Sequence, residues 1–113
     1  MIIITPVHST DIESVNITYL DRIETGGDTF DVKVINDIAY VTCGYFGLNI
    51  FNVSDPQNIT RLGSLEEIPI GSSSGYAHQF SIDFPLMYVG DGRGSLNIVI
   101  LVIQPILSQY IMT

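Results

Sequence analysis

The sequence predicts an all-β protein built of antiparallel strands. Short runs rich in β-branched and aromatic residues follow one another closely, and turn-forming residues bound each run. No stretch of about twelve residues carries an apolar stripe with the helical period. At 113 residues, 46% apolar and 14% charged, the chain is long enough for one small domain and too apolar for a disordered one.

The central unit, residues 31–65, shows four predicted strands joined as one meander. In the third strand, we expect Leu48, Ile50 and Val53 to face one neighbouring sheet and Phe51, with Asn49, to face the other side. After this strand, Ser and Asp side chains can bond nearby backbone amides and Pro56 pre-sets a turn. The predicted strands cover residues 31–35, 38–43, 48–53 and 59–65, and the turns lie at 36–37, 44–47 and 54–56.

The chain repeats itself with a period of 42 to 48 residues. A shift of 48 places residues 31–54 on 79–102, and a shift of 42 places 16–20 on 58–62. A period of this length with four strands per unit is typical of the blades of a β-propeller. The matched residues are Tyr40-Val41 with Tyr88-Val89, Gly44 with Gly92, Leu48-Asn49-Ile50 with Leu96-Asn97-Ile98, and Asn16-Ile17-Thr18 with Asn58-Ile59-Thr60.

The repeat predicts a partial propeller in a single domain of antiparallel four-stranded blades. It comprises the outer part of a blade (2–24), a complete blade (31–65) and an incomplete blade (79–113). The strand at Asp31 would line the central channel, and the strand at Ile59 would lie at the rim. We expect Tyr40 and Tyr88 to pack between blades. Positive φ is expected at Gly44 and Gly92.

The central unit resembles the LVIVD repeat family. The resemblance lies in residues 31–34 (Asp-Val-Lys-Val), 39–41 (Ala-Tyr-Val) and above all 47–56 (Gly-Leu-Asn-Ile-Phe-Asn-Val-Ser-Asp-Pro). It implies a β-propeller that serves as a binding or scaffold module, often extracellular or on the cell surface, with no catalytic motif. The first unit departs from the pattern at Thr5-Pro6-Val7, and the last unit matches only through Ile98.

The tail departs from the repeat from about residue 100. Codons that encode residues 100–113, read two bases out of frame, can also encode the missing Ser-Asp-Pro turn and an Asn-Ile segment, so a frameshift is one hypothesis. An apolar rim strand with a proline kink is the other. The stretch 96–112 is too short and too interrupted by polar residues to predict a membrane-spanning helix.

Charge and cysteine content exclude several functional classes. The net charge is −8 and the pI is near 4.2, and the four basic residues are scattered, which argues against nucleic acid and anionic membranes as partners. The single cysteine excludes an internal disulfide framework. No signal peptide is visible, and the Asn16, Asn52 and Asn58 sequons give only weak support for an extracytoplasmic setting.

Two connections are candidate binding loops. The segment 66–78 is the longest connection and is longer than the equivalent connection in the preceding repeat. Such insertions often carry recognition residues. A tolerated change of loop length is the alternative. The glycine-rich loop 90–94 could contact a ligand at one face of the propeller. The candidate residues are Glu66, Glu67, Tyr76, His78, Asp91 and Arg93.

No catalytic, metal or cofactor site is predicted. His78, the serines at 72–74 and Asp83 contain the residue types of a catalytic triad, but no nucleophile elbow accompanies them. The loop 90–94 lacks the lysine and helix of a phosphate-binding loop. The acidic residues Asp28, Asp31, Glu66 and Glu67 do not follow calcium-loop spacing.

The sequence therefore predicts a non-enzymatic module that binds a protein or another ligand. About two and a half blades would leave apolar faces uncovered, so the expected partners include further blades of a longer parent chain or a second copy. Two alternatives stay open: an enzyme site built from loops at the channel mouth, and purely structural blades of a larger assembly.

Overall fold

A computed structural model describes residues 11–65, 69–70, 73–74, 76–92 and 94–104. Within these ranges the chain forms one four-stranded sheet, one three-stranded sheet and a hairpin of two short strands, all antiparallel. The first sheet contains β1 (Asp31–Ile35), β2 (Ile38–Thr42), β3 (Leu48–Asn52) and β4 (Thr60–Leu65). The hairpin contains β5 (Pro69–Ile70) and β6 (Ser73–Ser74), and the second sheet contains β7 (Ala77–Asp83), β8 (Leu86–Asp91) and β9 (Ser95–Ile100).

The predicted all-β antiparallel fold is confirmed, and the first four strands lie within one residue of their predicted bounds. Local chemistry explains the turns between them. Asn36 and Asp37 both have positive φ, 50° and 65°, as a two-residue hairpin turn requires. After β3, the Asn52 Oδ1 accepts hydrogen bonds from the Ser54 amide and hydroxyl at 2.9 and 2.7 Å. The Asp55 carboxylate accepts a hydrogen bond from the Gln57 amide, as expected for an acidic residue in this turn.

The two sheets share one pairing register across the 48-residue repeat. Asp83 pairs with Leu86 in the second sheet, as Ile35 pairs with Ile38 in the first. The next two strands of each sheet share their register as well. Leu86 pairs with Ile100 in the second sheet, as Ile38 pairs with Asn52 in the first. The repeated residues thus occupy equivalent positions in two sheets.

The core lies between the two sheets. Tyr40 and Leu48 of the first sheet pack against Phe80, Met87 and Val89 of the second. Partly buried residues surround this cluster: Ile35, Ile38, Ile50, Ile82, Val99 and Leu101. The expected orientation of Leu48 and Ile50 is therefore confirmed.

The opposite face of the first sheet carries a second cluster. It contains Ala39, Val41, Cys43 and Phe51, all buried. Val53 packs against this cluster, so its predicted placement beside Leu48 was wrong. Side chains alternate along a strand, which puts an odd-numbered residue on the Phe51 face.

Polar contacts join β1 and β2 of the first sheet to β7 of the second. The Asp31 carboxylate accepts hydrogen bonds from Lys33 Nζ at 2.9 Å and from the Phe80 amide at 3.2 Å. The Lys33 ammonium also donates to the Phe80 carbonyl and lies 4.1 Å from the centre of the Phe80 ring. The Thr42 hydroxyl donates to the His78 carbonyl. These contacts fix β1 and β2 against β7.

The outer face of the second sheet is apolar and exposed. Leu96 is 66% exposed, whereas its repeat equivalent Leu48 is 2% exposed because the second sheet covers it. Tyr88 pairs with the exposed Ile98 on this outer face. Tyr40 lies between the two sheets as expected, but Tyr88 does not lie between the sheets that the structure describes.

The structure describes only part of the first and last predicted units. Residues 2–10, which include Thr5-Pro6-Val7, and the tail from 105 lie outside the described residues, while residues 12–24 form no strand. Across the described ranges, no helix is long and apolar enough to cross a bilayer.

Candidate functional site

The candidate site lies where the loops of both sheets meet. Pairing places the start of β1, the end of β2 and the start of β3 at one end of the first sheet, and the same holds for β7, β8 and β9. Gly44 and Ala77 join these two ends through a pair of backbone hydrogen bonds, each 2.9 Å long. Residues just outside the strands of both repeats are thereby brought together.

Four ring side chains line a shallow, open cavity of about 480 Å³ at this end. We call it the aromatic pocket, and its lining residues are Phe30, Tyr45, Tyr76, His78 and Gly92. The Tyr76 ring crosses Tyr45 at 82° and Phe30 at 64°, with centroids 4.6 and 5.1 Å apart. The His78 ring lies 4.5 Å from Phe30 at a tilt of 38°.

Gly44 permits this arrangement of rings. Its φ is +58°, as predicted, and a Cβ there would lie 3.1 Å from the Tyr76 ring and 3.2 Å from the Phe30 ring. The same prediction for Gly92 was wrong, because positive φ occurs instead at Gly94, where the chain turns into β9. The two repeats therefore close equivalent loops with different backbone geometry.

Asp91 positions Tyr76 through its backbone. The buried Asp91 carboxylate accepts a hydrogen bond from the Tyr76 amide at 2.9 Å, and the Gly92 amide donates to the Tyr76 carbonyl at 3.1 Å. Desolvation raises the pKa of the Tyr76 phenol, and the negative charge of Asp28 raises that pKa further. An acidic side chain therefore acts electrostatically on one ring of the pocket.

The structure brings together three of the six candidate residues. Tyr76 and His78 line the aromatic pocket, and the Asp91 carboxylate accepts a hydrogen bond from the Tyr76 amide. Glu66, Glu67 and Arg93 lie outside the described residues.

Sequence reasoning missed Phe30 and Tyr45. The repeat contains the information that could have identified them, since a shift of 48 places Phe30 on His78 and Tyr45 on Arg93. Two of the six candidates thus have repeat equivalents that line the same pocket. Applying the repeat to the loops as well as to the strands would have indicated both residues.

His78 and Asp83 are not arranged as a catalytic pair. His78 and Asp83 lie five residues apart along β7, which separates them by roughly 16 Å, so Asp83 cannot orient the His78 ring. The loop after Asp91 leads directly into β9 and not into a helix, unlike a phosphate-binding loop. Among the residues that the structure describes, no three acidic, histidine or cysteine side chains are grouped to hold a metal ion.

A second cavity, of about 510 Å³, lies beside β9 and is mainly apolar. Leu62 and Leu65 of the first sheet and residues 99–104 line it, together with core residues. Tyr76, His78 and Asp91, the candidate residues that the structure describes, do not line it. The repeat equivalents of β4, residues 108–113, lie outside the described residues.

No protein-family model, curated protein or solved structure matches the chain.

Proposed function

We propose that the protein is a non-enzymatic binding module built from β-propeller blades of the LVIVD type, with the aromatic pocket as its recognition site. The main support is the convergence of loop residues from two repeats on one open pocket. Strands hold these loops at fixed positions, which is how rigid scaffolds present binding residues.

The repeat geometry supports the blade arrangement. Both sheets share one register, and the inner strand of the first sheet is bonded to the inner strand of the second through Asp31, Lys33 and Phe80. The second sheet repeats the apolar face of the first with Tyr88, Leu96 and Ile98. A further blade placed on this face would extend the same packing.

Nuclear magnetic resonance with labelled aromatic side chains tests the proposed site. A library of small fragments should yield binders that shift the ring resonances of Tyr45 and Tyr76, and Tyr45→Leu should abolish those shifts. Tyr19→Leu is a suitable control, because Tyr19 is an exposed tyrosine that lies outside the pocket.

Two results would contradict this proposal. Fragments that bind only elsewhere would remove the pocket as the recognition site. Measured turnover of a bound compound that is lost in His78→Ala would support the enzyme alternative instead.

The open face of the second sheet favours a second function, as a structural blade of a larger assembly. Leu96 and Ile98 are 66% and 62% exposed, and burying side chains of this size stabilises by about 1.5–3 kcal/mol each. Light scattering tests this function: the chain should self-associate with rising concentration, and Ile98→Lys should return it to a monomer. A monomer at all concentrations would argue against self-assembly through this face.

A further inference from the structure

We propose that the aromatic pocket binds a quaternary or methylated ammonium group, which packs against the faces of Tyr45, Tyr76 and Phe30. This inference rests on the proposed function as a binding module and adds the chemical class of the ligand.

The angles between the rings favour a compact, rounded group over a flat one. A flat ligand stacks best between parallel faces, but the ring pairs here cross at 82° and 64°. In each pair the edge of one ring meets the face of the other, so the rings present surfaces in different directions, and a group with methyls in several directions can touch more than one of them. Half of the surface of Tyr45 is exposed to such a group.

Charge favours a cation over a neutral group of the same shape. Aromatic faces attract cations, and weakly hydrated ammonium groups benefit most. The negative charge of Asp28 raises the pKa of the Tyr76 phenol, and the chain carries a net charge of −8. None of the described lining side chains carries a fixed positive charge.

The same chemistry occurs inside the molecule. The Lys33 ammonium lies 4.1 Å from the centre of the Phe80 ring and 2.9 Å from the Asp31 carboxylate. An ammonium group between a ring and a carboxylate is thus already part of this fold. The aromatic pocket offers rings that are open to solvent, and the charge of Asp28 acts on one of them.

The test compares choline with 3,3-dimethyl-1-butanol, which has the same shape without the charge. Titrations followed by aromatic resonances and by calorimetry should show choline binding at least about fivefold more tightly, with shifts at Tyr45 and Tyr76. Tyr45→Leu should weaken choline binding by about fivefold or more, whereas Tyr45→Phe, which keeps the ring, should weaken it less than twofold. Asp28→Asn should weaken choline binding about twofold at low salt and less at high salt.

The control variant Tyr19→Leu should bind choline like the unaltered protein. Equal affinity for choline and its neutral analogue would overturn the ammonium proposal, while shifts at the pocket would leave the binding module standing. Absence of binding by both compounds and by the fragment library would overturn both. Equal loss of choline binding in Tyr45→Phe and Tyr45→Leu would also overturn the ammonium proposal, because the ring face would then not be the group that matters.

Discussion

Gly44 shows how one residue controls the aromatic pocket. Its positive φ would strain any side chain, and a Cβ would lie 3.1 to 3.2 Å from two rings, which would have to move by a few tenths of an ångström. We expect Gly44→Ala to lower the free energy of unfolding by about 1–3 kcal/mol, because the new Cβ would combine backbone strain with ring contact. Urea denaturation measures this change.

Gly63 provides the matched control. It lies in β4, its φ is not positive, and a Cβ there would meet no atom within 4 Å. Gly63→Ala should therefore be neutral or slightly stabilising. If the two variants were equally stable, the close approach at Gly44 would not limit the packing of Tyr76 and Phe30.

Asp31 makes the stability of the molecule depend on pH. The hydrogen bond from Lys33 and the bond from the Phe80 amide lower the pKa of the Asp31 carboxyl below its ordinary value of 3.8, against a smaller opposing effect of desolvation. Asp31→Asn should cost about 1 kcal/mol at neutral pH, since the side chain is only partly buried.

The sign of the pH effect follows from the lowered pKa. The stabilisation by Asp31 is complete above pH 3.8 and is lost as the pH falls through the lower pKa of the folded state. The difference between the unaltered protein and Asp31→Asn should therefore shrink in acid, as chemical denaturation at a series of pH values would show. The same substitution at the exposed Asp83 should change stability little at any pH. A difference for Asp31 that persisted below its folded pKa would contradict the role of the ionised carboxylate.

At the scale of elements, β2 is fixed to β7 by one buried hydroxyl. Thr42 is fully buried and donates to the His78 carbonyl. Thr42→Val keeps the shape but leaves this carbonyl without its donor, which should cost about 1–2 kcal/mol and loosen the ring of His78 against Phe30. Thr60→Val in the exposed part of β4 should cost less than about 0.5 kcal/mol. Thermal unfolding of both variants checks this prediction, and equal losses would show that the Thr42 hydroxyl does not join the sheets.

The elements differ in how far the sequence predicts them. The first sheet could be predicted nearly to the residue, because alternating apolar residues and turn residues such as Asn36-Asp37 are local features. The aromatic pocket could be predicted only in part: the repeat relates Phe30 to His78, but their contact depends on bonds between the two sheets, such as the bridge between Gly44 and Ala77 and the bond from Thr42 to the His78 carbonyl.

The segment 16–20 shows the limit of sequence similarity within a repeat. It matches 58–62, yet residues 12–24 form no strand. Thr60–Leu65 becomes β4 because β3 pairs with it along its length. A strand needs a partner with free backbone groups as well as suitable residues, and the earlier segment has no such partner among the described strands.

At the scale of the whole molecule, the repeat allows one side chain to be compared in two environments. Leu48→Ala should lower the free energy of unfolding by about 2–4 kcal/mol, because Leu48 is buried between the sheets. The equivalent Leu96→Ala should cost less than about 0.5 kcal/mol in a monomer, because Leu96 is exposed. Denaturation at several protein concentrations measures both.

The dependence of these two costs on protein concentration tests whether Leu96 becomes buried on association. If Leu96 becomes buried when copies associate, the cost of Leu96→Ala should rise with protein concentration while that of Leu48→Ala stays constant. Equal costs for both variants in dilute solution would mean that Leu96 is already covered there.

The burial of Cys43 gives the molecule an internal reporter of its own opening. The thiol is fully buried, accepts a hydrogen bond from Asn49 Nδ2 at 3.3 Å and is the only sulfhydryl in the chain. An alkylating reagent can reach the thiol only when β2 and β3 separate, or when the residues packed against the Cys43 cluster, Val53 and Ile59, move away from it. The rate of alkylation would therefore report how often the first sheet opens locally, and no added label would be needed.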